Sequence, residues 1–267
     1  MTKSLSVLQV LQQLPPASSA AECLEFCSGS AFIAADIERQ QTMWRSMEQL
    51  LSEQTEEHTA YLSLDFAEDG REYLQKLAGC DEAGRGPLAG PLVTAAAILP
   101  YGCYIPGLRD SKQLSGEERL AMVPWIQAAA IAYGVAEIGL DELNAPAANI
   151  NSLSLLGMER SLRKLDLEPS YVIIDGRNRL PGWNGPQKAL IKGDDRCPAV
   201  AAASVLAKVH RDLLMIEADR RWPQYGFAEH KGYGTAQHLR ALHEYGPCPW
   251  HRRHYRPVAA CQTPENI

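Results

Sequence analysis

The chain has 267 residues, 46% of them hydrophobic, and a formal net charge of −6. That is enough apolar material for one large domain plus an appendage, and no apolar run approaches the ~20 residues a membrane span needs. Seven scattered cysteines do not make an even-numbered disulfide framework, so a reduced, cytoplasmic setting is expected, and Met1-Thr2-Lys3-Ser4-Leu5 is not expected to be a signal peptide.

The charge is unevenly spread. Residues 1–70 hold three basic and eleven acidic side chains, a balance of −8. Residues 71–267 hold 23 and 21, a balance of +2, and within 205–258 nine basic side chains face five acidic ones. Six of the seven histidines also lie in that last stretch. The C-terminal part can therefore favour phosphate although the whole chain is acidic.

Residues 1–70 read as a helical extension packed on the domain that follows, since their acidity argues against a module that contacts substrate phosphate. Val7, Leu8, Val10, Leu11 and Leu14 mark a helix over Ser6–Leu14, stopped by Pro15-Pro16. A second helix is predicted from about Ala31 to Glu57, with Ile33, Ile37, Met43, Trp44, Met47, Leu50 and Leu51 near helical spacing. Glu68-Asp69-Gly70 reads as a linker to a domain over 71–258, and residues 259–267 as a disordered tail. A chain beginning near Gly70 is expected to fold.

Beyond the linker the pattern alternates. Lys76–Cys80 and Leu92–Leu99 read as strands joined by a sharp turn. Ser115 with Glu117-Glu118 opens a helix reaching about Ala130. Tyr133–Ile138 reads as a strand, Ile150–Leu165 as a helix, and the β-branched run Tyr171–Ile174 as a buried strand. A short strand at Ala189–Ile191 precedes an alanine-rich helix from about Ala199. Strands alternating with helices predict an α/β domain.

Three strands end on carboxylates: Asp81-Glu82, Asp175 and Asp194, with Asp195 competing for the last place. Strand ends of an open α/β sheet collect ligands. Four carboxylates with no paired His/Cys set suit a hard cation, Mg²⁺ or Mn²⁺. A pair of such ions ~3.5–4 Å apart serves phosphodiester cleavage. Neighbours on a regular strand face opposite ways, so Asp81 and Glu82 are expected to share a site only through a break in the strand, which Gly84 permits.

Gly84-Arg85-Gly86 offers a backbone that a ligand can approach and a guanidinium suited to phosphate. Gly84–Ala89 also fits the dinucleotide pattern G-x-G-x-x-A, but Pro87 and Pro91 obstruct the helix it requires. Ser204, Lys208 and Arg211 fall on one helical stripe, expected to lie beside a nucleic-acid backbone because Asp194 is just upstream. Tyr233, between Gly232 and Gly234, is expected to expose its ring. Cys248, His251 and His254 invite a zinc reading, but C-x₂-H-x₂-H is not a usual structural set.

The run Cys80-Asp81-Glu82-Ala83-Gly84-Arg85-Gly86-Pro87-Leu88-Ala89-Gly90-Pro91 resembles ribonuclease HII, the type 2 RNase H family. So do Asp110-Ser111-Lys112-Gln113-Leu114-Ser115, Ile173-Ile174-Asp175-Gly176, Lys192-Gly193-Asp194, Ala201–Val209, Tyr225-Gly226-Phe227, His230–Thr235 and His251-Arg252-Arg253. The resemblance covers roughly residues 77–258. It implies an RNase H-like fold, a mixed central sheet flanked by helices. It implies an endonuclease that hydrolyses RNA in RNA–DNA hybrids and incises 5′ of single ribonucleotides in duplex DNA, leaving 3′-hydroxyl and 5′-phosphate ends, in replication and repair.

In the resembling family the ligand directly follows Lys-Gly, which selects Asp194. The resemblance makes Gly84-Arg85-Gly86 the ribonucleotide-reading turn, places Lys112 near the substrate and packs Tyr233 on the sugar after the ribonucleotide. The family often has serine and phenylalanine where His254 and Tyr255 stand. A monomer is expected, and the sequence names no protein partner, a replication clamp included.

Overall fold

The computed structural model describes residues 30–58, Leu74 and residues 76–261. The helix expected at Ser6–Leu14, the linker at 68–70 and residues 262–267 lie outside them. The helical elements are α1 (Ser30–His58), α2 (Gly116–Ala129), α3 (Leu140–Leu143), α4 (Ile150–Leu162), α5 (Pro198–Arg221), α6 (Phe227–His230), α7 (Ala236–Tyr245) and α8 (Arg256–Ala259). The strands are β1 (Leu77–Ala83), β2 (Leu92–Ile98), β3 (Ala132–Ile138), β4 (Tyr171–Asp175) and β5 (Gln187–Leu190). Because α8 and its following turn reach Cys261, the expected tail at 259 begins too early. Among the described residues no helix is long and apolar enough to cross a membrane.

The five strands form one mixed sheet in the order β3-β2-β1-β4-β5. β1, β2 and β3 are antiparallel neighbours, whereas β4 runs parallel to β1 and β5 parallel to β4. Alternation along β1 decides the layers. Ala78 and Cys80 pack with Met158 and Leu162 of α4 on one face, while Leu77 and Ala83 join the α5 side.

Helix α5 lies flat on the sheet because its inner face is small. Ala199, Ala201, Ala202, Ala203 and Ala207 have no exposed surface. The approach is closest at Gly79, where a Cβ would stand 2.1 Å from the Val200 nitrogen. Pro198 occupies the first turn of the helix, where a missing N–H costs nothing.

Helix α1 shares this core. Met43, Trp44, Met47 and Leu50 are buried in the same cluster as the α5 side of the sheet. Its polar residues reach the loop after β2: Gln40 Nε2 donates to the Ile105 carbonyl at 2.7 Å and its Oε1 accepts the Ile105 N–H at 3.1 Å. The Trp44 indole donates to the Cys103 carbonyl at 3.0 Å, and Asp36 accepts from the Gly107 N–H at 2.8 Å.

Candidate active site

The parallel register of β1, β4 and β5 brings the carboxylates together. Cys80 lies opposite Ile174 and Asp175 opposite Leu190, so Asp81 and Asp175 leave the same edge of adjacent strands. After β5, Lys192 adopts a left-handed conformation (φ 56°) and turns the chain into a 3₁₀ turn, Gly193–Asp195. That bend aims the Gly193 N–H at Asp175 Oδ1, 2.8 Å away, and buries Asp194. The expected break between Asp81 and Glu82 does not occur. β1 runs through both, paired with Ala95 and Thr94, so their side chains leave opposite faces; at the sheet edge the Glu82 charge nevertheless acts on both Asp81 and Asp175, so the three converge there without a break.

Each carboxylate has its own support. On the α4 side, Ser154 Oγ donates to Glu82 Oε2 at 3.0 Å. On the α5 side the buried Ser204 hydroxyl hydrogen-bonds Asp81 and meets Ser111 Oγ at 2.8 Å. Burial pushes the Asp81 carboxyl well above the usual carboxylate range, with the charges of Glu82 and Asp175 adding to the rise. Burial also raises Asp175, against its hydrogen bond from Gly193 and with Asp194 and Glu82 reinforcing the effect. Crowded, desolvated oxygen donors of this kind fit a hard divalent cation.

Asp110 joins the group although its residue type and place gave no metal signal in the sequence. One of its oxygens and one each from Asp194 and Asp195 lie within 4.8 Å of one another. Lys112 sits among them, 3.0 Å from Asp194 Oδ2 and 3.6 Å from Asp110 Oδ1. Partial burial works to lower the Lys112 pKa, but the bond to Asp194 and the charges of Asp194, Asp110 and Asp81 outweigh it and hold the amine above the ordinary lysine value. Asp195, at the exposed side of this group, accepts from Gln113 at 3.0 Å, whereas Asp194 is buried.

The glycine turn leaves β1 directly. Gly84 has φ +100°, and Arg85 and Gly86 are exposed. The Arg85 guanidinium reaches Glu82 at 3.4 Å and also bonds Asn151. The chain then enters β2 rather than a helix, which removes the dinucleotide reading. Tyr233 is 45% exposed, and its ring stands 3.9 Å from where a Gly86 Cβ would be.

The predicted stripe on α5 is corrected. Arg211 has no exposure and donates to the carbonyls of Pro91, Lys231 and Ala89 at 3.1, 3.0 and 2.9 Å, so it faces the inside of the glycine turn and not solvent. Ser204 is likewise buried against Asp81. Lys208 is partly buried and paired with Asp212 at 2.6 Å. The stripe misled because i, i+4, i+7 spacing fixes a face of the helix without saying what covers it.

The zinc grouping also dissolves. His254 bonds the Asn144 carbonyl at 2.8 Å, away from His251. His238 Nδ1 donates to the Tyr233 carbonyl at 2.9 Å, so its Nε2 accepts from His251 Nε2–H at 3.1 Å. His251 Nδ1 then accepts the Cys248 N–H at 3.0 Å. The result is a buried pair of neutral imidazoles holding the loop that carries Tyr233.

The family model described as Ribonuclease HII matches residues 78–258. A protein called Ribonuclease HII from Verminephrobacter eiseniae is 48% identical over 183 residues, 68% of this chain and 86% of that one. The ribonuclease H2 of Pyrococcus horikoshii superposes with a TM-score of 0.62 at 26% identity, over 69% of this chain and 96% of that one. Bst-RNase HIII in complex with Mn²⁺ superposes with a TM-score of 0.58 at 21% identity, over 77% and 79%, and shares the fold.

Proposed function

The chain belongs to the ribonuclease HII family and is a metal-dependent endonuclease of the ribonuclease H type acting on RNA–DNA hybrids; from that premise we propose that it also incises 5′ of single ribonucleotides embedded in duplex DNA. The products are a 3′-hydroxyl and a 5′-phosphate, and the reaction belongs to ribonucleotide removal and primer processing in a cytoplasmic monomer.

The observation that carries this reading is the meeting, at one sheet edge, of a carboxylate group with a glycine turn and an exposed tyrosine. Asp81, Glu82, Asp175 and Asp194 would hold two divalent cations, Mg²⁺ or Mn²⁺, with Asp110 beside them. Bound there, the cations would supply the Lewis acidity that phosphodiester hydrolysis needs. The protein's own residues do the rest. Ser154, Ser204 and the Gly193 N–H fix the carboxylates. Lys112 and Arg85 stand at the exposed edge as cations for phosphate, and the turn that the buried Gly84 permits leaves the backbone at Arg85 and Gly86 open to a 2′-hydroxyl. Tyr233, beside Gly86, offers a flat face to the following sugar.

The test is a set of end-labelled duplexes carrying a run of ribonucleotides, one ribonucleotide or none, incubated with Mg²⁺ or Mn²⁺. Incision 5′ of the lone ribonucleotide, with a ligatable 3′-hydroxyl, is expected. Cleavage of the run without cleavage at the lone site would overturn the specificity.

A further inference from the structure

Two arginines are buried behind the glycine turn, and neither has a carboxylate partner among the described residues. Arg252 and Arg211 are both fully buried. Arg252 spends its guanidinium on backbone: Nη2 on the Gly84 carbonyl at 2.5 Å, Nη1 on the Arg85 carbonyl at 3.0 Å, and Nε on the Gly90 carbonyl at 2.9 Å. The Tyr255 hydroxyl donates to the same Arg85 carbonyl at 2.6 Å and accepts from Arg252 at 3.1 Å. Arg211 lies under Gly84 so closely that a Cβ there would meet its Nε at 2.1 Å. Burial lowers both guanidinium pKa values, Arg211 to about 10, with the neighbouring Arg252 charge adding to the fall.

Burying two cations without counter-ions is costly, and a plain turn needs neither. What they accomplish is directional. Every described peptide bond is trans, so a carbonyl and the following N–H point opposite ways. Drawing the Gly84 and Arg85 carbonyls inward therefore turns the Arg85 and Gly86 N–H groups outward, at the two exposed residues of the turn. Successive outward N–H groups backed by buried positive charge make a receptor for an electron-rich oxygen. Arg211 also holds the Lys231 carbonyl, and the Gly232 carbonyl accepts the Leu88 N–H at 2.8 Å, so Arg211 and this backbone bond together set the gap between the turn and Tyr233.

We propose that Arg252, Arg211 and Tyr255 are positioning residues for ribonucleotide selection: they aim the Arg85 and Gly86 N–H groups at the ribonucleotide and hold Tyr233 at its working distance. This rests on the reading of the turn given under Proposed function.

The experiment measures the affinity of the full chain, with Ca²⁺ as the probe cation, for a duplex with one ribonucleotide and for its all-DNA counterpart. In the unaltered protein the first is bound more tightly. Arg252→Lys, which presents one point donor instead of a fork, is expected to lower that preference about tenfold while all-DNA affinity stays within about twofold. Arg211→Lys is expected to act in the same sense. Tyr255→Phe removes a single hydroxyl from a half-buried ring and is expected to lower the preference two- to fivefold with an unchanged melting temperature. An unchanged preference in folded Tyr255→Phe and Arg211→Lys, or an equal loss of affinity for both duplexes, overturns the proposal while the reading of the turn stands. Should Arg252→Lys fail to fold, Tyr255→Phe decides. An unaltered protein without any preference would overturn the reading itself, and this inference with it.

Discussion

The ammonium of Lys112 lies 3.0 Å from the carboxylate of Asp194, which is buried at the same sheet edge as Asp81. The lysine side chain itself is 75% exposed. Its charge thus faces both the acidic group and the solvent from which a phosphate backbone would arrive. Lys112→Met should lower kcat/KM on hybrid and reduce the slope of log affinity against log salt by about one phosphate contact's worth. The half-saturating Mg²⁺ concentration should fall or stay level, because a competing cation has gone. A slope equal to that of the unaltered protein would mean Lys112 contacts no phosphate.

Removing a carboxylate separates fold from chemistry. Asp81, Asp175 and Asp194 crowd one sheet edge, where bound cations would offset the burial and repulsion that oppose ionisation of Asp81 and Asp175. Asp81→Asn, Asp175→Asn and Asp194→Asn should each lower kcat by on the order of a hundredfold or more at low Mg²⁺. Without metal, Asp81→Asn should melt no lower than the unaltered protein, since burial and two neighbouring charges already oppose ionisation there. Near-normal cleavage by any one variant would take that residue out of the site.

Acid should loosen the C-terminal segment. Burial depresses His251 to about 4, with His238 adding to the fall, and His238 is itself lowered by burial. Above the ordinary histidine value of ~6.5 both states hold the ring neutral and stability does not change. As pH falls from there toward 4, the unfolded chain takes up a proton the folded one refuses, so stability falls, by about 3 kcal/mol for His251. Urea unfolding at pH 8 and pH 5 reads the change directly. The pH dependence should shrink in His251→Asn, and an undiminished one would assign the acid lability elsewhere.

The extension is expected to matter to stability. Trp44 is 2% exposed, stands edge-on to Tyr101 at 5.5 Å and bonds the Cys103 carbonyl. Trp44→Ala should cost ~3–5 kcal/mol, and Gln40→Ala, which strands the Ile105 N–H and carbonyl, ~1–3 kcal/mol. A chain beginning near Gly70 should then be poorly soluble, against the expectation from sequence. Full solubility and an unchanged urea midpoint for that shorter chain would show that α1 is dispensable.

Tyr233→Ala should reduce kcat/KM on a lone ribonucleotide ten- to hundredfold, more than on a run of ribonucleotides, in line with the ~1–3 kcal/mol of a directed contact. Gly84→Val should abolish both, because any side chain there must displace Arg211 and the left-handed backbone resists it. Equal losses on both substrates in Tyr233→Ala would mean the ring does not discriminate.

What the sequence disclosed depended on whether a residue type carried its own geometry. The strand-ending carboxylates, the helix cap at Ser115 and the apolar face of α1 could be read because periodicity and capping chemistry are local. The burial of Arg211 could not, because what covers a helical stripe is a long-range fact. Asp110 carried no metal signal of its own because a lone aspartate before Ser-Lys is indistinguishable from a cap, and it does cap, accepting from the Lys112 N–H at 2.9 Å. That α1 packs on the domain is legible from its apolar face, but where it docks is not: its partners at Cys103, Ile105 and Gly107 are backbone groups, which any sequence would supply.

The hold of Arg252 on Gly84 spans 168 positions of the chain. During synthesis the early strands, with Asp81 and Glu82, emerge from the ribosome long before the arginine that orders the turn. A nascent or prematurely stopped chain would thus possess part of its acidic centre but no ordered turn beside it. On the proposed role of Arg252, ribonucleotide selectivity would be the last property the growing chain acquires, arriving only with the final stretch of translation.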